Sequence, residues 1–359
     1  MTPLLHADGS TASLLKPWRS AARAALVVSS LAMAGLATAQ PQIQQPPAMP
    51  TPATASESRG INEWLARMHE ASKKRAYIGT FVVSSGGAMS SAKIWHVCEG
   101  NDQMERVDTL TGAPRTIFRH NDQVMTFMPD HKVVRTEKRE SLGLFPELLQ
   151  STDARIADFY KMRADGVDRV AGVVADVTVL APKDTMRFGY RVWTEQKKGL
   201  VVKLQTLDLD GKVLEQAAFS ELQLDAPVKM DKLRQLMGRV EGYRVEKPVL
   251  VKTTASAEGW LLKAPVAGFT PMSCYKRPVT GGESGAIQEP LQWIFSDGLA
   301  SVSIFVEPYD RQRHDKEATL SMGATQTITR HLDPYWVTVM GEVPMTTLRL
   351  FADGLERKK

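Results

Sequence analysis

Two cysteines, Cys98 and Cys274, are all that the 359 residues contain. That is too few for the disulfide framework that staples small secreted domains. No C-x-x-C or H-E-x-x-H string occurs, which excludes the recognisable zinc and thiol-redox motifs. No G-x-S-x-G is present to carry an acyl-transfer serine. The Gly281-Gly282-Glu283-Ser284-Gly285 run lacks the Gly-Lys-Ser/Thr of a phosphate loop and reads as a hairpin loop. Asp and Glu are scattered, with no pair singled out for acid–base work. These absences point to a binding protein, with no catalytic, metal or cofactor site. Charge of one sign is also lacking. The net +5 is spread along the chain, whereas a nucleic-acid binder concentrates it on one face.

Long apolar runs are missing as well. Ala24 to Ala34 is apolar but shorter than the ~20 residues that span a bilayer. Lys16, Arg19 and Arg23 precede this run and Ala37-Thr38-Ala39 closes it, so residues 1–39 read as a secretory signal. No Cys follows to make a lipoprotein. The mature chain is expected to be soluble, in the periplasm. Residues 40–58 are rich in Gln, Pro, Ala and Ser/Thr, the composition of a disordered spacer.

Ile61, Trp64, Leu65 and Met68 then fall on one helical face. After Lys74 the apolar period changes to two. Tyr77 to Val83, Ser91 to Val97, Met104 to Thr109, Arg115 to Arg119, Gln123 to Met128 and Lys132 to Glu137 read as strands. After an irregular stretch from Ser141 to Ile156, with room for a short helix or two, the pattern resumes. Its strands are Tyr160 to Ala164, Val173 to Leu180, Met186 to Trp193, Gly199 to Leu207 and Val213 to Leu222. Residues 59–226 are thus expected to form a large curved antiparallel half-barrel sheet covered by helices. Residues 227–258 hold one more helix, with Leu233, Leu236, Met237 and Val240 as its stripe, and a polar linker. Residues 259–359 form a smaller α+β domain, so the fold class is α+β. Its clearest feature is a pair of alternating strands, Leu291 to Ser296 and Leu299 to Val306, around Asp297-Gly298, a strong hairpin signal. Tyr335 to Met340 reads as a strand, and Pro344 opens a helix carrying Leu348, Phe351 and Leu355.

Aromatic residues on strands are the chemistry the first domain does offer. Phe81, Trp95, Phe118, Phe127, Phe188 and Trp193 are candidates to line an apolar cavity for a lipid chain, although an ordinary core also explains them. Burial of an acyl chain contributes roughly 0.8 kcal/mol per methylene, so a lipid ligand is energetically sensible. Cys98 and Cys274 can form a disulfide between the two halves of the chain or remain two buried thiols. His96 and Cys98, two apart on a strand, are a weak zinc cue; a satisfied histidine beside a buried thiol is the plainer reading.

Several strings resemble known proteins. Tyr190-Arg191-Val192-Trp193, Gly199 to Lys203 and Asp210 to Gln216 resemble the closing strands of the periplasmic lipoprotein-carrier fold. Trp260 with Gly268-Phe269, Phe295 to Glu307, and Gly341-Glu342-Val343-Pro344 are more particular. Together these strings resemble the RseB/MucB family of sigma-E regulatory proteins, from about Ile61 to Lys359. The resemblance implies a lipoprotein-carrier-like first domain and a second domain that binds the periplasmic segment of a single-span anti-sigma factor. It implies a negative regulator of the envelope stress response, which shields that segment from site-1 proteolysis and is released by lipopolysaccharide or mislocalised lipoprotein. Exposed positions around Tyr309 to Arg313 and the Gly281 to Gly285 loop are candidate contacts with it. The alternative is a lipid or lipoprotein carrier without a regulatory partner. No nucleic acid is implied, and a homo-oligomer is left open.

Overall fold

The computed structural model describes residues 55–138, 145–146, 155–277, 279–280, 287–314 and 316–358. The secretory signal, most of the spacer and the Gly281 to Gly285 loop lie outside them.

Helix α1 (Ala55–Lys74) begins four residues inside the stretch read as spacer. Ile61, Leu65 and Met68 are buried at helical spacing, with Trp64 partly buried beside them. Burying three such side chains contributes about 1.5–3 kcal/mol each, which holds the helix on the sheet.

That sheet contains twelve strands. Six run outward from the centre: β1 (Tyr77–Ser85), β2 (Ala88–Glu99), β3 (Asp102–Thr109), β4 (Thr116–His120), β5 (Gln123–Met128) and β6 (Val133–Lys138). Short helix α2 (Ile156–Phe159) leads to the opposite edge. From there β7 (Tyr160–Val170), β8 (Val173–Pro182), β9 (Gly189–Glu195), β10 (Val201–Leu207) and β11 (Val213–Leu224) return inward. The sheet is therefore two antiparallel arms, and it closes where β11 pairs with β1, Tyr77 opposite Leu224 and Ser85 opposite Glu215. All eleven strands were expected. The pairing of β1 with β11 lies in no local pattern.

Helix α3 (Met230–Met237) packs Met230, Leu233 and Met237 against Val97, Met104, Phe118, Phe127 and Val134, a second cluster apart from the one under α1. The chain next adds β12 (Arg244–Glu246), the sheet's one parallel strand, beside β6. It then enters a second sheet through β13 (Val251–Lys252). The expected linker is thus stitched at one end into each sheet.

The second domain comprises β14 (Trp260–Leu262), β15 (Thr270–Lys276), β16 (Val279–Thr280), β17 (Ile287–Gln288), β18 (Leu291–Ser296), β19 (Ser301–Pro308), β20 (Ala318–Met322), β21 (Thr325–Leu332) and β22 (Tyr335–Gly341). Helix α4 (Met345–Gly354) and β23 (Leu355–Arg357) complete it. Its main sheet runs β13-β15-β18-β19-β22-β21-β20. Leu348 and Phe351 of α4 are fully buried on it. Leu355, expected on the helix, instead opens β23, which pairs with β14.

Candidate functional site

The face of the large sheet that α1 covers is apolar and aromatic. Phe219 is its hub: its ring lies 4.9 Å from that of Phe145, 6.2 Å from Tyr77 and 6.3 Å from Phe81. The ring passes directly over Gly79, where a Cβ would come within 2.4 Å of it. Tyr160, Tyr190, Val192 and Leu200 extend the same buried cluster toward the β7 edge.

Of the six aromatic residues singled out in the sequence, two, Phe81 and Trp193, belong to that cluster. Cross-strand partners share a face, so register assigns each side. Phe81 points to the α1 side. Trp95 pairs with Ile78, which places it on the opposite face, and Trp193 pairs with Lys203. Phe118 and Phe127 join Trp95 in the cluster under α3. There Arg106 lies 5.0 Å over the Trp95 ring. On the other arm of the sheet, Lys203 lies 4.2 Å over Trp193. Phe188 is buried just ahead of β9, outside the strands. Phe145, Tyr160, Tyr190 and Phe219 of this cluster were not among the six: Tyr160, Tyr190 and Phe219 lie in stretches read as strands, and Phe145 sits in a stretch without periodicity.

Polar groups cross this interior in two buried networks. Arg75, next to the end of α1, donates to Glu195 at 2.6 Å and to Asp225 at 3.2 Å. Its carbonyl accepts the Nδ1–H of fully buried His96 at 2.7 Å. His96 stacks on Tyr77, and its Nε2 lies 3.7 Å from Glu105, which accepts from Arg119 at 2.8 Å. Burial holds the His96 imidazole below its usual pKa. Burial pushes Glu105 the other way, and the Arg119 hydrogen bond and charge outweigh it, leaving the carboxyl below its usual range. His96 is thus a core histidine with Nδ1 hydrogen-bonded and Nε2 buried without a hydrogen-bond partner, half of the plainer reading. Among the described residues no group of three or more His, Cys, Asp or Glu is placed to hold a metal.

The junction between the domains is the most elaborate polar site. Residues 186–188, read from the sequence as the start of a strand, instead belong to the loop before β9, which delivers Arg187 across the boundary. Arg187 is fully buried and donates to Asp184 at 3.0 Å, to Asp297 at 2.8 Å and to the Ala267 carbonyl at 3.1 Å. Its guanidinium lies 4.3 Å from the centre of the Phe159 ring and 5.3 Å from that of Phe269. Tyr160 donates its hydroxyl to the same Asp297 oxygen at 3.2 Å. The other Asp297 oxygen accepts the N–H groups of Leu299 and Ala300. Burial pushes the Asp297 carboxyl up and Arg187 pulls it down, with burial prevailing. The expected two-residue Asp-Gly turn is instead a four-residue loop between Ser296 and Ser301, because Asp297 is engaged as cap and ion-pair partner.

Three of the particular strings of the second domain reach this junction, whereas Trp260 packs within its own domain against Tyr335. Gly268 has φ +82°, and a Cβ there would lie 2.6 Å from Arg187 Nη2 and 2.8 Å from Phe159. After Pro344, Thr347 donates its hydroxyl to the Met186 carbonyl at 2.8 Å. Glu342 acts with burial to raise Tyr190 and Glu215 of the first domain.

Cys98 and Cys274 are both free, which corrects the disulfide alternative. Each is held in its own sheet, Cys98 opposite Gln103 and Cys274 opposite Trp293. Burial pushes the Cys274 thiol up to about 11. Beside Tyr309 to Arg313 the rings of Tyr309, His314, His331 and Trp336 cluster, His331 lying tilted 4.1 Å from Tyr309 and His314 stacked 4.9 Å from Trp336. No helix among the described residues is long and apolar enough to cross a membrane.

Comparison with known proteins agrees with this architecture. The profile of the MucB/RseB N-terminal domain matches residues 60–237, and that of the MucB/RseB C-terminal domain matches residues 254–356. The sigma factor AlgU regulatory protein MucB of Pseudomonas aeruginosa is 28% identical over 300 residues, 82% of this chain and 90% of that protein. The sigma-E factor regulatory protein RseB of Haemophilus influenzae is 25% identical over 303 residues, 82% of this chain and 90% of its own. The crystal structure of MucB in complex with MucA(peri) superposes with a TM-score of 0.62 at 25% identity, covering 83% of this chain and 98% of that one. The Pseudomonas aeruginosa MucA/MucB complex gives 0.64 at 25% identity, covering 84% and 99%. With both of its domains matched in order, the chain belongs to the MucB/RseB family.

Proposed function

We propose that this chain is a periplasmic negative regulator of an envelope stress response, which binds the periplasmic segment of a membrane-anchored anti-sigma factor. The observation that carries this reading is the likeness of both domains, over 98% of the other chain, to MucB in complex with MucA(peri). Bound there, the protein shields the segment from the site-1 protease, and the apolar α1-covered face takes the acyl chains of lipopolysaccharide or lipoprotein that release it. The protein acts by binding and is not an enzyme. The second domain favours this reading over a carrier, for which a curved sheet suffices.

The test is calorimetry of residues 40–359 against the periplasmic segment of the anti-sigma factor from the same genome. Saturable 1:1 binding, lost on adding lipopolysaccharide fragments, is expected. No binding, with recovery of lipoproteins alone from an envelope pull-down, would instead make the chain a carrier.

A further inference from the structure

The β18–β19 hairpin does more than pair ions across the boundary. Leu299, at its tip, packs into the apolar cluster under α1, the only residue of the second domain among those named in that cluster. Tyr160 belongs to the cluster through its ring and to the hairpin through its hydroxyl.

The loop is built to move as one body. Asp297 Oδ1 accepts the N–H groups of Leu299 and Ala300 at 2.9 and 2.8 Å. Ser296 Oγ accepts the Gly298 N–H and donates to the Ala300 carbonyl, both at 2.9 Å. Leu299 therefore cannot leave the first domain without carrying Asp297 away from Arg187 and Tyr160.

We propose that this hairpin is a plug: residues 297–300 occupy one end of the apolar face that a lipid chain enters, so lipid and hairpin compete, and lipid entry breaks the Arg187–Asp297 contact between the domains. The proposal rests on the reading that the first domain takes lipid, and it supplies the coupling that the reading lacks. A ligand shifts an equilibrium only by its differential affinity for two states, and here the unplugged state alone has the space. Lipid affinity is lowered by the fraction of molecules in which the plug is seated. Release of the anti-sigma segment then follows from loss of the domain arrangement.

The test is a titration of residues 40–359 with cis-parinaric acid, a fluorescent fatty acid, for wild type, Leu299→Ala, Leu299→Met and Asp297→Asn. Leu299→Ala removes the apolar tip and is expected to tighten binding about fivefold or more. Leu299→Met keeps the bulk and should match wild type. Asp297→Asn weakens the pair without touching the tip, and should tighten binding in the same direction even if Leu299→Ala folds poorly. Equal affinity for all four proteins would overturn the plug and leave the lipid reading standing. Absence of binding in all four would overturn both.

Discussion

Gly79→Ala tests the packing of the apolar face at its tightest point. The new Cβ would lie 2.4 and 2.6 Å from two carbons of the Phe219 ring and 3.0 Å from the Glu221 carbonyl. The ring cannot swing aside, because Tyr77, Phe81 and Phe145 enclose it. Overpacking of this kind costs about 1–3 kcal/mol. Alanine recovers about 0.5–1 kcal/mol of backbone entropy in a strand, so a net loss of about 1–2 kcal/mol is expected. Phe219→Ala alone should cost about 3–5 kcal/mol as a buried aromatic deletion. In the double variant the methyl group enters the space the ring has left, and the sum should fall short of additivity by about 2 kcal/mol. Urea unfolding followed by far-UV circular dichroism measures all three. Additivity within about 0.5 kcal/mol would refute the claim that ring and glycine occupy one another's space.

Arg187→Met strands a buried carboxylate at Asp297 and should cost about 3–5 kcal/mol in the same assay. Adding Asp297→Asn removes the stranded charge and should restore more than 1 kcal/mol of that (~1–2), whereas no recovery would mean that the two groups are not a pair. Stability should fall as pH drops below about 6.5, where the unfolded chain protonates His96 and the folded chain resists. It should fall further below about 4.5, as Glu105 and Glu195, both held below that value when folded, take up protons. His96→Gln should flatten the first of these slopes, and an unchanged slope would acquit His96. Ellman's reagent should titrate two thiols in denaturant and spare Cys274 in the native protein, with no reductant-dependent shift in electrophoretic mobility.

The strands were legible because alternation and turn residues are local properties. The α1 stripe was legible for the same reason. Which face each aromatic residue occupies was not, because it depends on strand pairing. Trp95 and Phe81 look alike in their own strands, and the β1–β2 register sends them to opposite sides. Arg187 was the larger omission. Met186-Arg187-Phe188 alternates as a strand would, and only the neighbouring domain reveals that Arg187 is aimed at Asp297. Asp297-Gly298 was legible as a turn. Its loop length was not, since the aspartate's partners lie 110 and 137 residues away in the chain. Gly268, Asp297 and Glu342 of the second domain's particular strings, in contrast, were visible before their place at the junction was.

The linker also sets a threshold. Between β12 in one sheet and β13 in the other, residues 247–250 alone are unpaired. Fully extended, that stretch lets the paired ends separate by only about 17 Å. A hairpin released from the first domain therefore stays close to its seat, at an effective concentration in the millimolar range typical of short tethers. Any lipid must outcompete this standing intramolecular rival, and dilution of the protein does not weaken it. The length of those four residues thus tunes how much lipid counts as stress: a longer tether would make the same protein respond to less.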